Sequence, residues 1–84
     1  MTESASPDDK PFPLTMAREG DRVRIVTLRG GAGLVRRLTE MGLNVGAEVT
    51  VAQQQGETLV LIRGDTRLGL GVGASQRVMV TPAA

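Results

Sequence analysis

The chain has no cysteine, no histidine, no tryptophan and no tyrosine, and Phe12 is its one aromatic residue. Without thiols there is no disulfide framework and no thiolate metal site. Without imidazole there is no histidine general base and no Ser–His or Cys–His nucleophile system. The near absence of aromatics removes the stacking platforms on which single-stranded nucleic acids are held. Long apolar runs are missing too: nothing approaches the roughly 20 residues that span a bilayer. Met1 to Pro13 offers no apolar h-region of a signal peptide, so the expectation is a cytoplasmic protein without membrane insertion.

What is present is a short, glycine-rich chain of 84 residues, enough for one small domain. Its net charge of +1 hides an asymmetry. Residues 1–13 carry Glu3, Asp8 and Asp9 against Lys10, whereas the remainder sets nine arginines against six acids. That excess is too mild to announce nucleic-acid binding. Residues 1–13 also hold Pro7, Pro11, Pro13, Ser4 and Ser6 with few apolar side chains, which predicts a flexible leader ahead of a domain over 14–82.

The most informative stretch runs from Leu34 to Gly46. Leu34, Val35, Leu38 and Met41 fall on one stripe at helical spacing, while Arg36, Arg37, Thr39 and Glu40 take the opposite face. Gly42 can close the helix in the left-handed region, with Leu43 folding back onto the last turn. One short helix over about 33–41 is therefore expected, fed by the loop Gly30-Gly31-Ala32-Gly33. Around it the pattern reads as strands: Val23 to Leu28, Glu48–Gln53, Thr58–Arg63, Thr66–Gly71 and Val78–Val80, with tight turns at Gln54-Gln55-Gly56 and Gly64-Asp65. Gly73 to Gln76 suggests a helical turn.

Some five strands in so short a chain predict a mainly β fold, a small bent sheet closing into a barrel that protects its edges. The expected core is aliphatic: Val23, Ile25, Leu38, Val49, Val51, Val60, Ile62, Leu68, Leu70, Val78 and Val80. For Leu59-Val60-Leu61-Ile62 period 2 alone does not choose the inward face. If Val60 and Ile62 point in, Leu59 and Leu61 point out, and Met79 does likewise between Val78 and Val80. Such a patch would mark a partner site. The competing reading covers these side chains with the helix or the opposite wall.

Chemistry is sparse. The glycine loop sits where phosphate-binding loops sit, but position 36 is Arg36 rather than a third glycine, and no Gly-Lys-Ser/Thr occurs. Arg36 and Arg37 suit a phosphate or an acidic partner, or simply form a solvated helix face. Acids of the folded part are scattered singly, and the methionines fit apolar positions, so no metal site, no cofactor and no catalytic pair are expected. Exposed strand edges allow self-association.

The segment Arg37-Leu38-Thr39-Glu40-Met41-Gly42-Leu43, followed by Gly46, resembles the FeoA family, the small ferrous iron transport protein A. Flanking matches are Leu14, Gly20, the Val23–Leu28 strand, Gly30-Gly31, Val49, Val51, Gly64, Leu68, Leu70, Ala74, Val78 and Val80. The resemblance implies an SH3-like β-barrel and an accessory, non-enzymatic role beside the FeoB-type GTPase/permease. With that role, Arg36, Arg37, Leu59, Leu61 and Met79 are the expected contacts. The acidic leader and the Gly69–Gly73 segment depart from the family pattern. An alternative is a free-standing metal- or ligand-sensing module, since a similar barrel forms the C-terminal domain of metal-dependent repressors.

Overall fold

Tight turns make residues 48–71 a run of successive antiparallel strands. In the computed structural model, which describes residues 10–83, β1 (Phe12–Pro13) runs into a 3-10 turn at Leu14–Met16. Then follow β2 (Arg22–Leu28), α1 (Ala32–Glu40), β3 (Glu48–Gln55), β4 (Thr58–Arg63), β5 (Thr66–Gly71), α2 (Val72–Ser75) and β6 (Val78–Pro82). All six strands belong to one antiparallel sheet in the order β1-β6-β2-β3-β4-β5.

The sheet is mainly β and SH3-like, with six strands where the sequence suggested about five. Its hydrogen-bond ladder ends at β1 and β5 rather than closing. The 3-10 turn packs on both α2 and β6, while α2 packs on β4 and β5, so short helical turns cover part of the gap. Ladder irregularities between Ile25 and Thr27 and between Val51 and Gln53 add bends.

Strand pairing begins at Phe12, two residues ahead of the expected domain start. Pro13 has no N–H to donate, so an edge strand suits it, and half-buried Phe12 packs against the core. The rest of the expected leader, residues 1–9, lies outside the described residues.

Leu14, Val23, Ile25, Leu38, Leu43, Val49, Val51, Leu59, Leu61, Leu70, Val78 and Val80 form one aliphatic cluster. Removing each such side chain from water contributes about 1.5–3 kcal/mol. Two expectations are corrected here. Val60 and Ile62 are only half-buried and lie outward, while Leu59 and Leu61 are 1% and 0% exposed. The reason lies in the register: Leu61 faces Leu68 and Val51 across the ladder, and Leu59 faces Leu70. Directly opposed residues share a face, so the leucines of β4 and β5 go in together. Leu68 itself is half-buried against the cluster.

Candidate functional site

Helix α1 is the one substantial element that leaves the sheet, and its C-terminal end is built with care. The N–H of Leu43 donates to the Leu38 carbonyl at 2.9 Å, and the N–H of Gly42 donates to that of Thr39 at 2.9 Å. These are the two bonds of a Schellman motif, and they occupy carbonyls that the helix end would otherwise leave unpaired. Gly42 sits at φ +89°, a region costly for a residue with Cβ. Leu38 and Leu43 are both fully buried in the core, so the apolar contact that accompanies the motif also anchors the helix to the sheet.

Arg63, at the end of β4, reaches over this cap: a Cβ built on Gly42 would lie 3.3 Å from its Cζ and Nη1. A cation beside a helix C-terminus meets the negative end of the macrodipole. Arg37 adds a second positive charge in the last helical turn. Beyond the cap, Val45 is 58% exposed, one of two large apolar side chains left open among the described residues, the other being Met16 at 69% on the 3-10 turn.

The outward face of α1 carries Arg36, Arg37, Thr39 and Glu40, all exposed. Thr39 Oγ1 donates to the Val35 carbonyl at 2.8 Å. Arg36 and Glu40 have the spacing of a helix pair, yet among the described residues the ion pairs are those of Glu48 alone. There Arg22 and Arg24 both reach Glu48, at 3.0 and 2.5 Å, across the β2–β3 ladder. The hydrogen bond from Arg24 holds the Glu48 carboxyl below the usual glutamate range, partly opposed by desolvation and aided by both guanidinium charges.

Of the expected contact residues, the fold brings Arg36 and Arg37 together on one open helix face. Leu59 and Leu61 are corrected: both are core side chains with no exposed surface to offer. Met79 is corrected as well. It is 8% exposed, between buried Val78 and Val80 and opposite Pro13 of β1. What sequence reasoning missed is Arg63 and Val45 beside the helix cap, and Val60 and Ile62 on the outer sheet. The spacing of a two-residue turn at Gly64-Asp65 carried the signal for β4: pairing Arg63 with Thr66 sets Leu61 against Leu68.

No group of three or more Asp or Glu side chains that could hold a metal occurs among the described residues. No helix among them is long and apolar enough to cross a membrane. The arrangement is a charged helix face with an apolar fringe. It is a surface on an SH3-like sheet with one inserted, Schellman-capped helix.

A family model described as FeoA domain matches residues 12–82, from β1 to the end of β6. The chain therefore belongs to the FeoA family. It is 29% identical over 72 residues to a putative Fe(2+) transport protein A of Methanocaldococcus jannaschii, covering 86% of this chain and 88% of that protein. The crystal structure of an iron uptake regulatory protein (FeoA) superposes with a TM-score of 0.78 at 32% identity, covering 84% of this chain and 95% of that one. A manganese-dependent transcriptional repressor in complex with manganese reaches a TM-score of 0.83 at 16% identity. It covers 92% of this chain but 39% of its own, and the likeness is one of fold alone.

Proposed function

We propose that this chain is a non-catalytic accessory protein of ferrous iron uptake, working from the cytosolic side by contact with a FeoB-type GTPase/permease. The observation that carries this reading is the FeoA match over residues 12–82, which takes in every strand of the sheet and both helices. The chain has no imidazole and no thiol with which to hold iron or run acid–base chemistry. Iron is then the cargo of the partner. Arg36 and Arg37 on α1 remain the proposed contacts, with Val45 beyond the cap replacing the buried leucines.

The test is binding of the full chain to the full-length ferrous transporter in detergent, with GDP and with a non-hydrolysable GTP analogue. Saturable binding that weakens in an Arg36→Glu/Arg37→Glu variant supports the reading. A folded chain that binds in neither nucleotide state overturns it. The fold likeness to a manganese-dependent repressor keeps a sensing module as the second reading. A stoichiometric, saturable Mn²⁺ or Fe²⁺ titration of the isolated chain would favour it.

A further inference from the structure

The ladder between β2 and β6 continues one step past its last pair. Leu28 faces Val78, and beyond them the Arg29 N–H donates to the Arg77 carbonyl at 2.7 Å. Arg29 and Arg77 are thus opposed cross-strand neighbours, both exposed. Like charges in this position destabilise a sheet unless something of opposite sign lies between them. Neither has an ion-pair partner among the described residues, where the recorded pairs are those of Glu48 with Arg22 and Arg24.

Charge is segregated around this pair. Residues 22–39 contain five arginines and no acid, and residues 66–84 contain two arginines and no acid. These two segments are the ones that the β2–β6 ladder joins. The six acids of the folded part lie instead at Glu19, Asp21, Glu40, Glu48, Glu57 and Asp65. Of the seven arginines, Arg22 and Arg24 share Glu48 at the far end of β2. Arg29 and Arg77 are left at the loop end, where Gly30 and Gly31 follow Arg29 in the chain. Gly31 has open space where a side chain would stand.

We infer that Arg29 and Arg77 form a docking point for a carboxylate-bearing segment of the protein partner, two guanidinium groups closing on Asp or Glu side chains. This rests on the proposed function above and names the chemistry of the surface that the transporter must present. Arg suits the role because its planar fork matches a carboxylate and stays charged at any physiological pH. The repulsion tolerated in the free chain is relieved when the acidic segment arrives.

The experiment compares wild type, Arg29→Gln/Arg77→Gln and, as a charge control on β5, Arg67→Gln. Each is measured for binding to the full-length ferrous transporter over a salt series, and for thermal stability. The double variant is expected to bind roughly tenfold more weakly at low salt, with the difference shrinking as salt rises. Its Tm should hold or rise, because a like-charge contact has been removed. Arg67→Gln should bind like wild type. Equal binding by the double variant overturns the inference while leaving the accessory role standing. An equal loss in Arg67→Gln overturns it too, by making net charge the cause. Wild type that binds no transporter removes both readings. If the double substitution leaves transporter binding intact but abolishes binding to a single-stranded RNA oligomer, the ligand is a nucleic-acid phosphate and the carboxylate reading falls.

Discussion

The two ends of α1 are built in opposite ways. At the C-terminus, two backbone hydrogen bonds, a left-handed glycine, two fully buried leucines and the Arg63 guanidinium converge on Leu38 to Leu43. At the N-terminus, Gly31 caps without a side-chain bond, no acid occupies the first turn, and Gly33 lies within it. One end carries the attachment of the helix to the sheet. The other keeps free N–H groups and low intrinsic helix propensity beside Arg29, which has no ion-pair partner among the described residues. Stability is concentrated where the helix meets the core, and the end left cheap to perturb lies near exposed Arg29.

This contrast is open to breakage, starting with its strongest side. Leu43→Ala removes a buried side chain shared by cap and core and should cost about 2–5 kcal/mol in chemical denaturation. Gly42→Ala forces a Cβ into a left-handed backbone and toward Arg63. A loss of about 1–2 kcal/mol is expected, and an unchanged midpoint would show that the cap is not the anchor. At the weak end the sign reverses. Gly33 has open space around a built Cβ and helical geometry, so Gly33→Ala should stabilise by about 0.5–1 kcal/mol in the same assay. A loss there would mean that the N-terminal turn is already tightly constrained. The smallest effect lies away from both ends. The Glu48 carboxyl is held below its ordinary value by Arg24 and Arg22. Its contribution is therefore present above the unfolded glutamate value, about 4.3, and fades as pH falls through the lowered folded one. Glu48→Gln should flatten this acid limb in thermal melts while leaving both helix ends unchanged.

Much of this was readable from residues alone where a local rule had one outcome. The helix, expected over about 33–41, spans Ala32–Glu40, because the apolar stripe and the Gly42-Leu43 stop admit one period. Thr58–Arg63 and Thr66–Gly71 were expected as strands and fold as such, since Gly64-Asp65 is a compact turn between them. The buried face of β4 is less legible. The expectation puts Leu59 and Leu61 outside only if Val60 and Ile62 point in, and the pattern itself does not choose, because every residue from 59 to 62 is aliphatic. The expectation that Leu68 and Leu70 point inward was already inconsistent with that choice, given a two-residue turn at 64–65.

By itself, then, the sequence determined the local units of this protein: one glycine-stopped helix, two tight hairpins, an aliphatic core vocabulary and a folded part with excess arginine. These follow from backbone sterics and side-chain periodicity, which act over a few residues. Tertiary structure alone decided which face of β4 is buried, where the ladder bends, and that Arg29 meets Arg77 across β2 and β6. Those outcomes depend on pairing between distant strands, and a period of two is indifferent to its own reversal until a neighbour across the ladder breaks the symmetry.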